Sequence, residues 1–304
     1  SYWPAVYIWD AKNGVLTIDA DDLGFYDRRI PRQSHEMVLD RGGVLYLTQN
    51  SWGREEQFVG VIKDQVRVFN VNQRLRLVDE VERETTQRIL RYDAASHLLY
   101  LVRVGELDED PSVLHVVEPD SGRVLQRVEV GKTASDLAFD SKKIYVANFD
   151  SSSVSVIDTS DYSVSEVEAG EQPLKLCAAA GTVWLIDHAG NSLIEVGGKS
   201  RKLPTEGSPD NIFKWNGGLV ITSHSSDTLY VTRFDPGTGE FEVLHTLGYP
   251  YGDTSFDSQN VSFYMRGQFG DALFSITRGR TDSSGRLWIS DFLSGRVFIL
   301  SGSR

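Results

Sequence analysis

Three histidines stand in polar sequences where an imidazole can reach solvent: His35 in RQSHEM, His188 in LIDHAG and His224 in ITSHSS. Histidine changes charge near neutral pH, so each is a candidate general acid or base. His188 and His224 hold the same place relative to the short apolar run before them, which makes them equivalent positions of a repeated unit. Around them lies a scattered polar set: Asp10, Gln49, Arg103, Asn148, Asp210, Asn211 and Asp291. Asp10, Asn148, Asp187, Asp210, Asn211 and Asp291 offer oxygens of the kind that bind a hard divalent cation such as calcium. They are far apart in sequence and form no local calcium loop, so the reading from residues alone is no resident cofactor, with a calcium ion as the alternative. The metal ligands, if any, stay unassigned.

Other chemistries lack their motifs. No serine has a G-x-S-x-G context, no H-E-x-x-H is present, and no glycine-rich phosphate loop occurs. The one cysteine, Cys177, lies in the apolar run LKLCAAA, which predicts a buried structural thiol and excludes an internal disulfide. His97, His115 and His245 fall in or beside strand-like runs and read as structural. Trp52, in NSWGREEQF, and the aromatics of 249–269 are candidates for a ligand or protein contact.

These residues are positioned by a strand motif that returns seven times. Its copies are AVYIWD, GVLYLTQN, HLLYLVRV, KKIYVANFD, TVWLID, GLVITSH and RLWISD, centred on Tyr7, Tyr46, Tyr100, Tyr145, Trp184, Val220 and Trp288. The intervals are 39, 54, 45, 39, 36 and 68 residues, so the longer ones carry inserted loops. Each interval holds about four short strands; TASDLAFD, KKIYVANFD, SSVSVIDTS and YSVSEVEAG form the clearest set. Apolar residues occupy both faces of SSVSVID, which predicts a sheet covered on both sides. A unit of this size cannot bury two faces by itself, and stacking around an axis does so. The expected fold is therefore all-β: a seven-bladed β-propeller of four-stranded antiparallel blades, forming one domain over 1–304. Incomplete first and last units make a six-bladed or irregularly closed form the alternative.

The residue three places after each motif centre marks the turn at one mouth: Asp10, Gln49, Arg103, Asn148, Asp187, Ser223 and Asp291. Linkers into each blade bring His35, Asp210 and Asn211 to the same face.

One repeat carries a family resemblance. Tyr145, Val146, Ala147 and Asn148 match a Tyr-Val-Thr-Asn strand with Ala for Thr, and Val154, Ser155, Val156, Ile157 and Asp158 match a following V-x-V-I-D strand. On these residues the chain resembles the YVTN-type β-propeller repeats, most closely over 132–170. Related propellers include surface-layer proteins, secreted binding domains, lactonases and streptogramin-inactivating lyases. The lyase resemblance implies a catalytic histidine at the mouth, and the lactonase resemblance an oxygen-rich centre.

Net charge is −12, from 43 acidic and 31 basic residues, which argues against nucleic acid as a partner. No apolar run has the length to span a bilayer as a helix. The leading expectation is a noncatalytic propeller that binds a protein, glycan or small molecule on its loop face. The competing one is a propeller enzyme, a lyase or metal-dependent lactone hydrolase. An exported location, periplasmic, extracellular or tethered to the cell surface, is expected, with the cytoplasm left open.

Overall fold

The computed structural model describes residues 6–10, 14–18, 32–39, 45–51, 58–63, 67–69, 86–104, 110–119, 123–225, 227–248, 277–291 and 296–302. All regular elements among them are strands, and every sheet is an antiparallel meander in chain order. None of the described residues forms a helix long and apolar enough to cross a membrane.

The chain divides into two compact units, Ser1–Ala134 and Ser135–Arg304. The first contains a hairpin, β1 (Val6–Asp10) with β2 (Gly14–Ile18). Two four-stranded sheets follow. One is β3 (Arg32–Leu39), β4 (Leu45–Ser51), β5 (Phe58–Lys63) and β6 (Arg67–Phe69). The other is β7 (Thr86–Asp93), β8 (Leu98–Val104), β9 (Pro111–Glu118) and β10 (Arg123–Lys132).

The second unit begins within β11 (Ala134–Phe139), which pairs with β12 (Lys143–Asn148), followed by β13 (Ser153–Asp158) and β14 (Val164–Glu168). Next come β15 (Pro173–Ala179), β16 (Thr182–Asp187), β17 (Ser192–Glu195) and β18 (Ser200–Lys202). The fourth-stranded pattern repeats in β19 (Ser208–Trp215), β20 (Gly218–His224), β21 (Thr228–Phe234) and β22 (Phe241–Gly248). The last sheet has three strands, β23 (Thr277–Thr281), β24 (Leu287–Asp291) and β25 (Arg296–Leu300).

Turn chemistry sets these registers. Trp215 pairs with Gly218 across Asn216-Gly217, whose φ angles of 47° and 74° make the tight reversal that matches strand twist. Asp140 accepts the backbone N–H groups of Lys142 and Lys143 at 2.7 and 2.9 Å, closing the β11–β12 turn.

Packing joins consecutive sheets of the second unit. Val154, Leu176, Val183 and Leu185 form one shared core, while Trp184, Ile186, Ile212, Leu219 and Phe234 form the next. In the latter, Phe234 lies 4.9 Å from the Trp184 ring in an edge-on arrangement. Phe213, Val220, Leu287 and Ile289 carry the packing onto the last sheet. In β13, Val154, Ser155, Val156 and Ile157 are all buried, so both faces are covered, as the sequence pattern requires.

Candidate functional site

A repeated irregularity positions the polar residues. The first strand of several sheets slips register near its start: between Ser34 and Met37, Gln87 and Ile89, Pro173 and Lys175, and Pro209 and Asn211. A bulge bends the strand and re-aims the unpaired residue. At β19 that residue is Asp210, and at β3 the slip spans His35. The side chains of His35, Asp10 and Gln49 lie outside the described residues, as does Trp52 entirely.

Asp210, His224 and Asp291 come together from β19, β20 and β24. His224 is only 1% exposed. Its Nδ1 lies 3.3 Å from Asp210 Oδ1, and its Nε2 lies 3.5 Å from Asp291 Oδ1. Each ring nitrogen thus faces a carboxylate of its own. Burial pushes the imidazole toward neutrality, but Asp210 and then Asp291 outweigh it and raise its pKa to about 9. His224 is thus an imidazolium at neutral pH.

Asp210 is the hub of this network. Its Oδ1 accepts Thr222 Oγ1 at 2.6 Å, and its Oδ2 accepts the Thr277 N–H at 2.8 Å and Thr277 Oγ1 at 2.9 Å. Burial raises its pKa, yet His224 and these donors leave it below the ordinary carboxylate range. Asn211 adds a second tie, donating from Nδ2 to the Thr277 carbonyl at 2.8 Å. The network therefore clamps the three-stranded sheet to its neighbour.

The other candidates are placed separately. Asn148 is buried and donates to Ser153 Oγ at 3.2 Å and Ser155 Oγ at 2.8 Å. Asp187 accepts the backbone N–H groups of Glu171 and Gln172 at 3.2 and 2.9 Å. Arg103 ends in a half-buried position on β8. His188, immediately after β16, is half-buried, and its Nδ1 lies 2.8 Å from the Pro209 carbonyl oxygen.

Among the described residues no group of three or more His, Cys, Asp and Glu side chains is arranged to hold a metal ion. The oxygens of Asp210, Asn211 and Asp291 face protein donors: hydroxyls, backbone N–H groups and an imidazolium. They do not fit a calcium site. Thr222 and Thr277 escaped the sequence reading. Thr222 carried a weak signal, since it shares a strand face with His224 in ITSH, whereas Thr277 is 55 residues from Thr222 and meets it only in the fold.

No protein family matches the sequence, and no curated protein does. Solved structures do resemble the fold. A functionally unknown protein from Desulfotomaculum acetoxidans has a TM-score of 0.60 at 13% identity, covering 88% of this chain and 82% of that one. The Dos1 propeller gives 0.59 at 9%, covering 97% and 72%. A putative 6-phosphogluconolactonase from Bacteroides uniformis gives 0.53 at 14%, covering 81% and 78%. At such identities the likeness is one of fold. The chain has an all-β repeat architecture whose antiparallel sheets resemble propeller blades.

Proposed function

We propose that the chain is a closed seven-bladed propeller over 1–304, built on YVTN-type repeats, and that it is an enzyme: a lactone hydrolase with His188 as general base. The observation that carries this reading is the hydrogen bond of His188. A carbonyl oxygen only accepts, so the 2.8 Å contact with Pro209 assigns the proton to Nδ1 and leaves the lone pair of the neutral ring on Nε2. The half-buried ring keeps access to solvent at the end of a second strand, where ligands are expected. In the proposed reaction Nε2 takes a proton from water, whose oxygen adds to the lactone carbonyl. Collapse of the adduct breaks the ring C–O bond, and the imidazolium returns the proton to the departing alkoxide. The product is the open hydroxy acid. The fold likeness to a putative 6-phosphogluconolactonase supports the choice of substrate class. His224 is too enclosed for the base role and belongs to the scaffold in this reading.

A second reading, noncatalytic binding of a protein, glycan or small molecule on the same face, is favoured by the burial of Asn148, Asp210, His224 and Asp291 in structural contacts. Lactone hydrolysis decides between them. Rates with glucono-δ-lactone and 6-phosphogluconolactone are measured above the spontaneous background for the wild type and His188→Gln. The enzyme reading expects acceleration by the wild type and a loss of about 100-fold in the variant. No acceleration with either lactone, or equal rates for both proteins, refutes it. Saturable binding of the same sugars without turnover is the signature of the second reading.

A further inference from the structure

Two sheets of the second unit carry the same slip at a proline. Pro173 stands opposite Asp187, three residues beyond Trp184, and Pro209 stands opposite Ser223, three residues beyond Val220. In each, the residue after the proline is left unpaired: Leu174 in β15 and Asp210 in β19. In each, the proline carbonyl accepts from a side chain of the sheet before it. Ser135 Oγ donates to the Pro173 oxygen at 2.7 Å, and His188 Nδ1 lies 2.8 Å from the Pro209 oxygen. The direction of that carbonyl is therefore a feature of the repeat.

The two slips are held differently. Leu174 is buried in the apolar core with Ile186 and Ile212, so a hydrocarbon side chain is enough to seat the bulge. At β19 a buried carboxylate takes that place, with Thr222 Oγ1, the Thr277 N–H and Thr277 Oγ1 as donors and His224 Nδ1 at 3.3 Å. The Pro209 carbonyl and the Asp210 N–H share one rigid peptide plane, so turning Asp210 turns the carbonyl. The ladder resists this weakly, because a bulge interrupts the pairing and proline has no N–H to donate. The backbone of His188 is tied to its own sheet, its N–H donating to the Gln172 carbonyl at 2.9 Å, while its ring follows the next sheet.

We propose that Asp210 is a positioning residue for His188: its carboxylate, clamped by Thr222, Thr277 and His224, holds the Pro209 carbonyl where it keeps the proton on Nδ1 and leaves Nε2 for the reacting water. The catalytic consequence rests on the lactone hydrolase reading, whereas the control of the ring does not. All of these residues lie within the second unit.

The test is Asp210→Asn in the full chain. An amide nitrogen cannot accept, so one group of donors around position 210 loses its acceptor and the side chain turns. Two-bond proton–nitrogen NMR reads the tautomer of the His188 ring above its own titration, with the signal assigned by its absence in His188→Gln. The wild type is expected to carry the proton on Nδ1. In Asp210→Asn the ratio of Nδ1–H to Nε2–H should fall about fivefold, the effect of one weakened hydrogen bond. The kcat for glucono-δ-lactone should fall about tenfold with KM within about twofold, as for a base that is present but misaimed. A loss of stability alone leaves the tautomer of the folded molecules unchanged. Thr277→Val removes one hydroxyl donor, keeps the N–H, and repeats the measurement should Asp210→Asn fail to fold. A shifted tautomer in a protein whose wild type turns over no lactone supports the positioning and refutes only the hydrolase reading. A wild-type ring protonated on Nε2, or an unchanged tautomer in the folded variants, overturns the proposal, and a lactone rate lost only in His188→Gln then leaves the reaction standing.

Discussion

Raising the pH from 6 to 9 should loosen this protein through one residue. His224 titrates near 6.5 when unfolded and at about 9 in the fold, held up by Asp210 and Asp291. A raised folded pKa means that the native state binds more protons between these values. Its contribution is complete below about pH 6.5 and is lost as pH rises through 9. The shift of 6.5 to about 9 corresponds to roughly 3 kcal/mol, and at 1% exposure solvent screening takes little from it. With a urea slope of about 3 kcal/mol per M, the unfolding midpoint falls by ~1 M across the window. His224→Asn removes the titrating group, so its midpoint should be flat there. At neutral pH it should be lower than the wild type by about 3–5 kcal/mol, because two buried carboxylates lose their shared cation. Urea melts followed by tryptophan fluorescence at half-unit pH steps measure both effects. His115 has the opposite shift, to about 4, and its slope lies below pH 6.5, so the two do not overlap. The reasoning fails if wild type and His224→Asn have parallel pH profiles between 7 and 9.

Two further outcomes test the scaffold. Gly170 and Gly190 leave room for the Asp187 carboxylate, which a Cβ at either position would strike. Gly190→Ala should therefore destabilise by about 1–3 kcal/mol, and Asp187→Ala by about 2 kcal/mol through two N–H groups left without their acceptor. In the double variant the clash is gone, so thermal or urea melts should show less than the sum of the single effects. Burial, then Asp136, pushes the Cys177 thiol up to about 12. Iodoacetamide at pH 8 should leave the native thiol unmodified and alkylate it once in urea, as read by intact mass.

Strand identity was written in the chain itself. Alternation and turn residues place KKIYVAN, SVSVID and TVWLID as strands because period-two patterning and backbone preferences act over a few residues. The same local signals put His188, Asn148 and Asp291 at or just after the ends of second strands. They did not assign roles, because a role depends on what lies across the sheet or on the next one. Asp210 and Asp291 read as oxygen ligands in sequence, yet the bulge at Pro209–Asn211 turns Asp210 onto Thr277, 67 residues away, and Asp291 meets His224. His115 read as a structural histidine, since nothing near it in sequence shows that its register neighbours include arginines on β8 and β10. Local pattern determined the repeat and the strands. Only tertiary structure decided which polar groups are enclosed in mutual contacts and which, like His188, are half-buried, because charge pairing and desolvation depend on distance in space.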